Sequence, residues 1–163
     1  MPERSGLDWV SEAVAFAVLV GTFVVLAAHW NEIPAQVPRH FRVSGLPNRW
    51  GDKSGLWLLP VISFVLYLAL TAVSRYVSRY PQMINVPMGI DRGDPGVQKL
   101  LLSMTVALKM AIVIGFACIS WATVKTALGR SNGLPPWLLP VFLILVAAPL
   151  VWYLVRLRRY RSL

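Results

Sequence analysis

The sequence has few charges, few histidines and a single cysteine. Only 14% of its 163 residues are charged, whereas soluble domains average about 25%. Cys118 is the one cysteine, so no disulfide can form within the chain. The sequence shows neither a Ser-His-Asp set, a phosphate-binding glycine loop nor a Cys-His cluster. These absences argue against an ordinary soluble domain, and we expect neither an enzyme nor a bound cofactor.

Apolar residues are abundant instead, at 56% of the chain with a mean hydropathy of +0.60. They fall into runs long enough to cross a bilayer, which takes about 20 residues of helix. Tryptophans at the ends of these runs are typical of membrane interfaces. The sequence therefore predicts an all-α integral membrane protein, a single domain with four transmembrane helices at about 9–30, 56–75, 95–126 and 137–155. Asp94 and Pro95 are predicted to begin the third helix, and Pro149 to kink the fourth.

The net charge of +9 reflects basic residues that lie between the apolar runs and at the C-terminus. This distribution favours membrane orientation over nucleic-acid binding. The N-terminus, second loop and C-terminal tail hold nine Lys and Arg residues, against six in the first and third loops. We expect a multi-pass protein of a bacterial cytoplasmic membrane with both termini in the cytoplasm and the first loop outside. The segment before the first apolar run contains Glu3, Arg4, Asp8 and Glu12, a poor match to the positively charged start of a signal peptide, so we expect it to be retained.

The first loop, residues 33–53, is the longest ordered-looking polar stretch. Pro34 and Pro38 fix the backbone angle φ at two points and push the preceding residues towards extended conformations. Pro47 and Asn48 are predicted to form the centre of a turn. The sequence therefore predicts a folded cap rather than a flexible linker.

The spacing of this loop resembles the signature of a bacterial membrane family, domain of unknown function 1648, which includes the SdpI-like immunity proteins. The matching residues are Ile33, Pro34, Val37, Pro38, His40, Phe41, Gly45, Pro47, Trp50 and Lys53, with a weaker match at Asn85 and Pro87. The chain departs from the pattern at Arg39, Arg42 and Asn48, and the last replaces an aspartate. The resemblance implies a protein that protects its membrane against a secreted toxic peptide and signals to a repressor inside. It implies that the cap recognises a peptide, a lipid or a partner protein.

His40 is the principal candidate for a ligand-binding side chain in the cap. It either fixes the loop through a backbone carbonyl, contacts a ligand or partner, or coordinates a metal. The nearby His29, Glu32 and Asp52 lack a spacing typical of zinc sites, so no metal is predicted.

Aromatic and basic residues give the cap two further alternatives. Phe41, Trp50 and Trp57 either form a ligand platform or anchor the protein at the interface. The arginines of the cap and Lys53 either hold anionic head groups or an acidic partner, or are simply solvated.

Lys109 lies within the third apolar run. It is either a functional ionisable group near the bilayer midplane or, in the interpretation we favour, a snorkelling side chain near the cytoplasmic edge. No Asp or Glu is expected inside a span, so its predicted partners are hydroxyls such as that of Thr105, backbone carbonyls or water. If Lys109 is functional, it and the Pro149 kink indicate a small transporter or channel component.

The pentapeptide Trp-Leu-Leu-Pro-Val occurs twice, at 57–61 and 137–141. It indicates either two repeated helix-loop-helix halves or a chance match between leucine-rich segments. Gly21 and Gly115 would permit close contact between helices, so the sequence is compatible with a homo-oligomer.

Overall fold

A computed structural model describes residues 5–83 and 86–160. It contains four long apolar helices, α1 (Gly6–Ala28), α2 (Leu58–Arg79), α3 (Pro95–Ala127) and α4 (Leu138–Leu157). Each is long and apolar enough to cross a membrane, which confirms the predicted four-helix class. Two strands, β1 (Gln36–Phe41) and β2 (Pro47–Asp52), lie between α1 and α2. Short 3-10 turns occupy Lys53–Trp57, Pro81–Met83 and Arg158–Tyr160.

Helix α3 is the centre of the bundle and packs against α1, α2 and α4. Buried residues occur along its whole length, whereas α4 buries only Leu138, Tyr153 and Leu157. The outer faces of α1, α2 and α4 expose many large apolar side chains. Such continuous apolar surface is costly in water and suits lipid, so these three helices present the lipid-facing surface.

Polar residues define where α1 and α3 begin. Ser5 and Asp8 form a capping box, in which the serine hydroxyl accepts from the Asp8 N–H and the Asp8 carboxylate accepts from the Ser5 N–H. Helix α1 therefore begins at Gly6, before the predicted start, and includes Asp8 and Glu12. Asp94 Oδ1 accepts from the N–H of Gly96 at 2.6 Å, which confirms the predicted cap of α3.

The two Trp-Leu-Leu-Pro-Val pentapeptides lie at the beginnings of α2 and α4, with Trp57 and Trp137 just before the first helical residue. In both helices the proline falls in the first turn, where its missing N–H costs little. Helix α2 continues to Arg79, four residues beyond the predicted end. A symmetry relation between the two halves stays a prediction.

The second loop packs at the end of the bundle opposite the hairpin. Val86, Val97, Tyr153 and Leu157 form a buried cluster that joins this loop to the start of α3 and the end of α4. Pro87 is exposed beside that cluster. Asn85, the other residue of the weaker family match, lies outside the described residues.

Candidate functional site

The first loop is ordered, as predicted, and forms an antiparallel hairpin of β1 and β2. Pairing runs from Gln36 opposite Asp52 to Phe41 opposite Pro47, with an irregularity on either side of His40. The predicted position of the turn is wrong, because Pro47 and Asn48 lie in β2. The chain reverses instead between Arg42 and Leu46, where the Arg42 N–H donates to the Leu46 carbonyl at 2.9 Å.

Gly45 explains why the reversal occurs there. Its φ is +82°, a conformation that residues with a Cβ atom rarely adopt. Its carbonyl accepts from the Leu134 N–H at 2.9 Å. A Cβ atom on Gly45 would lie 1.9 Å from the Leu134 carbonyl oxygen, so the tip of the hairpin rests directly on the loop before α4.

Apolar contacts dock the base of the hairpin onto the helices. Val37, fully buried at 0% exposure, lies in one cluster with Ile33, Leu26, Leu56 and Val124. These residues come from the hairpin region, α1, the 3-10 turn and α3. Side chains packed in this way allow little movement, so the hairpin is part of the folded core.

Lys53 adds a polar clamp at the same place. Its ammonium group donates to the Trp30 carbonyl at 3.1 Å and lies 4.8 Å from the centre of the Trp30 ring. The Trp57 ring packs near the rings of Phe23 and Trp30. Trp57 therefore belongs to the junction between α1 and α2, whereas Trp50 stays half-exposed on the hairpin.

His40 contacts a side chain rather than the backbone carbonyl that one alternative predicted. Its Nδ1 lies 2.6 Å from Asn48 Oδ1 across the hairpin. An amide oxygen can only accept, so Nδ1 donates here and Nε2 keeps a lone pair. Asn48 is thus a neutral acceptor that orients the imidazole.

The residues proposed as metal ligands do not converge. The Nδ1 atom of His29 lies 2.9 Å from the Val25 carbonyl, and Glu32 pairs with Arg130 at 3.4 Å. Residues 5–83 and 86–160 contain no group of three or more His, Cys, Asp or Glu residues placed to hold a metal ion.

A pocket of about 350 Å³ lies between the hairpin and the helices. Its polar rim comes from Arg39 and His40 of β1 and from Ser120 and Thr123 of α3. Its apolar wall comes from Pro38, Phe41 and Ile119 and from leucines at the starts of α2 and α4. The structure thus brings three motif residues, Pro38, His40 and Phe41, to one concave surface, which we call the hairpin pocket.

Ser120 is the member of this site that sequence reasoning missed. It is 8% exposed, and its hydroxyl is one of two buried side-chain polar atoms without a hydrogen-bond partner in the described part of the chain, the other being Ser63. Leaving a buried hydroxyl unpaired costs about 1–3 kcal/mol. A serine inside an apolar helix gives no sequence signal, because such hydroxyls usually bond the carbonyl one turn earlier.

Arg39 lines the hairpin pocket and contacts Asp52, which lies outside the pocket lining. Arg39 Nη1 donates to the Asp52 carbonyl at 3.3 Å, and its guanidinium covers Gly55, another pocket residue. Hydrogen bonds from the side chain and the backbone N–H of Ser54 hold the pKa of Asp52 below its usual value. The Asp52 carboxylate therefore caps the 3-10 turn, and the positive charge of the nearby Arg39 also lowers the pKa of Asp52.

A second polar cluster lies inside the bundle. Lys109 is 1% exposed, and its ammonium group donates to both carboxylate oxygens of Glu12, at 2.6 Å for Oε2, and to the Thr71 hydroxyl at 3.1 Å. The prediction that Lys109 snorkels is wrong, as is the expectation that no acid lies inside a span. A hydroxyl is among the partners of Lys109, as predicted, but it is that of Thr71, because Thr105 donates to the Leu101 carbonyl.

Tyr67 completes this cluster. Its hydroxyl donates to Glu12 Oε1 at 2.9 Å, and its ring centre lies 5.0 Å from the Lys109 ammonium. The cluster thereby links α1, α2 and α3. Its acid was missed because Glu12 directly precedes the uninterrupted apolar run, whereas in the structure it lies within α1 and faces Lys109.

The four apolar helices and the docked hairpin define a multi-pass membrane protein. Residues 17–64 match the family model described as Domain of unknown function (DUF1648), which confirms the resemblance drawn from the loop motif. The matched segment holds most of α1, the hairpin and the start of α2, and it excludes Glu12 and Lys109.

One curated relative is an uncharacterized protein of Archaeoglobus fulgidus. It is 26% identical over 133 residues, which cover 74% of this chain and 71% of the relative. No solved structure matches the chain.

Proposed function

We propose that this chain is a binding protein of a bacterial cytoplasmic membrane whose hairpin, facing outwards, recognises a peptide, a lipid or a membrane partner. The observation that carries this proposal is the hairpin pocket. It combines residues of the DUF1648-like motif with a buried hydroxyl that has no partner in the described part of the chain. A concave, mostly apolar site with a few convergent polar groups is the usual form of a ligand site.

The rigid construction of the hairpin supports a binding role. Three independent attachments hold it: the buried Val37, the Lys53 clamp and the contact between Gly45 and Leu134. A preformed site pays less ordering entropy on binding than a flexible loop does. A loop that only connected α1 to α2 would need none of these attachments.

The SdpI-like resemblance suggests a more specific role within this proposal. The ligand would then be a secreted toxic peptide, and binding would be relayed to a cytoplasmic regulator. Helix α3 offers a direct physical connection, because its 33 residues run from the second loop to the hairpin pocket. The second loop and the arginines near the C-terminus would form the inner docking face.

Site-directed photocrosslinking in cells tests the binding proposal. A benzophenone amino acid at Leu58, an exposed pocket residue, should yield an adduct of discrete mass on irradiation. The same probe at Leu143, exposed on α4, is the control for general lipid contact. We expect His40→Ala and Ser120→Val to diminish only the Leu58 adduct at unchanged membrane levels. Identical adducts at both positions, or adducts that neither variant alters, would overturn the proposal.

A transporter or channel component is the second candidate, favoured by the ionisable Glu12–Lys109 cluster within the spans. The Pro149 region of α4 would contribute to the path. Lys109→Leu discriminates between the candidates, because a transporter should lose flux, whereas a folded variant of a binding protein should keep its ligand. The closed geometry favours binding, since Lys109 is almost fully buried and donates three hydrogen bonds.

A further inference from the structure

We propose that the hairpin pocket takes an anionic amphiphile with a single acyl chain, whose head is a carboxylate or a phosphate. This inference rests on the proposed binding function and names the chemistry of its ligand. Three properties of the pocket carry it: the charge of its rim, the apolar character of its wall and its position at the ends of the helices.

The charge of the rim favours an anion. The hairpin and its flank contain Arg39, Arg42, Arg49 and Lys53 against the single carboxylate of Asp52. Of the four cations, Arg39 lines the pocket, and a Cβ atom on the neighbouring pocket residue Gly55 would lie only 2.1 Å from its Nη1. The guanidinium therefore lies at the pocket wall, where its planar donors suit a carboxylate or phosphate.

Ser120 supplies the second donor for the head group. Ser120 is a lining residue of the pocket, and its hydroxyl is buried without a hydrogen-bond partner in residues 5–83 and 86–160. An anionic oxygen would satisfy it, because a hydroxyl donates well to charged acceptors. His40 differs from both donors, because its Nε2 is an acceptor when the ring is neutral. It can accept a hydrogen bond from the glycerol hydroxyl of a ligand whose head is a glycerol phosphate.

The apolar wall, the position and the volume of the pocket favour an acyl chain over a wholly polar ion. Phe41, Leu58, Leu59, Ile119 and Leu139 contribute apolar surface. Leu58 directly follows Trp57, and Leu139 lies two residues after Trp137. Tryptophans commonly mark the head-group level of a bilayer. A ligand seated there would have its head at the interface and its tail against the helices. The volume of about 350 Å³ is near the lower end for ligand sites, which suits one chain rather than two.

Calorimetric titration of the full chain in nanodiscs of neutral phospholipid tests this inference. Four 12-carbon probes differ in head group: dodecanoate, lauroyl lysophosphatidate, lauroyl lysophosphatidylcholine and dodecyltrimethylammonium. We expect the two anionic probes to bind at least tenfold more tightly than the other two. A preference between the anionic probes identifies the head group, and loss of that preference in His40→Ala would assign it to the glycerol hydroxyl.

Matched variants separate failure of this inference from failure of the proposed function. Arg39→Gln should weaken binding of the anionic probes about tenfold, the effect of one charge-assisted contact. Arg42 is an exposed arginine of the hairpin turn outside the pocket lining. Arg42→Gln is therefore the control for Arg39→Gln and should leave binding unchanged. Equal binding of all four probes, blocked by Ser120→Val and insensitive to Arg39→Gln, would overturn the anionic ligand and leave the binding site standing. If no probe binds in a way that Ser120→Val weakens, the proposal of an acyl-chain ligand is wrong. The proposed binding function would then be tested by the Leu58 crosslink alone.

Discussion

The ammonium group of Lys109 and the carboxylate of Glu12 form a buried ion pair between two helices, although the residues are 97 positions apart in the chain. Thr71 and Tyr67 extend the pair to α2. Charges placed in an apolar interior need such complete pairing, because removing either from water is costly. The pair therefore fixes which faces of α1, α2 and α3 meet.

The first prediction concerns this pair. Lys109→Met and Glu12→Gln should each lower the free energy of unfolding by about 3–5 kcal/mol, because each leaves a buried charge without its partner. The double variant should lose much less than the sum of the two. Reversible unfolding in mixed micelles, followed by circular dichroism, measures the free energy of unfolding of all four proteins in this double-mutant cycle: the wild type, the two single variants and the double variant.

Lys99→Met is the control for loss of a lysine from the same helix, since Lys99 is exposed. Its effect should stay within about 0.5 kcal/mol. Strict additivity of the Glu12 and Lys109 variants would show that the pair contributes nothing in the folded protein.

The second prediction concerns the turn of the hairpin. Gly45→Ala should detach the hairpin tip, because the added Cβ would collide with the Leu134 carbonyl and the φ of +82° is strained for alanine. Gly129→Ala is the matched control, with a φ of +70° and no atom within 4 Å of the added Cβ. The control isolates the backbone strain of about 1–2 kcal/mol. Thermal unfolding should therefore rank wild type above Gly129→Ala and Gly129→Ala above Gly45→Ala, and a reversed order of the two variants would contradict the docked turn.

The third prediction concerns Lys53. Lys53→Met should lower the free energy of unfolding by about 1–3 kcal/mol, since the variant leaves the Trp30 carbonyl without its charged donor. Lys125→Met is a matched control, because Lys125 also lies over a tryptophan ring, at 5.6 Å from that of Trp121, and is itself exposed. We expect the control to lose about 0.5–1 kcal/mol. Equal losses in chemical denaturation would show that the carbonyl contact adds nothing.

The fourth prediction concerns pH. Because the pKa of Asp52 is lowered in the folded hairpin, its capping contribution is present above the unfolded pKa of about 4 and is lost as pH falls through the lower, folded value. The Ser54 amide resonance should therefore stay constant from pH 7 to about pH 5 and shift only below about pH 4. Asp52→Asn should abolish that titration. A midpoint above the usual aspartate value would contradict the observed hydrogen bonds.

The sequence predicts the helices well because their signals are local. Apolar length, interfacial tryptophans and the Asp94-Pro95 cap each act within a few residues, and the structure has a helix at each predicted position. The stiffness of the first loop was likewise readable from Pro34 and Pro38. Its strand pairing was not, because Pro47 and Asn48 predict a turn, whereas the structure places them in β2 and reverses the chain at Gly45.

The two polar clusters, at the hairpin pocket and around Lys109, could not be predicted, because each joins distant segments. Glu12 and Lys109 meet only once α1 packs on α3, and Ser120 joins His40 only once the hairpin folds back. Nothing in the local sequence marks Ser120, and Glu12 lies just before the uninterrupted apolar run, where no buried partner is indicated. Partners across the bundle depend on packing angles that no single helix determines.

Hydrogen exchange at the Leu134 amide tests the docked hairpin most directly, because this amide donates to the Gly45 carbonyl and so holds the hairpin tip on the loop before α4. We predict slow exchange in the wild-type protein in nanodiscs and exchange near the rate of an unstructured amide in Gly45→Ala. Equally fast exchange in both proteins would contradict the docked hairpin, and the binding site with it.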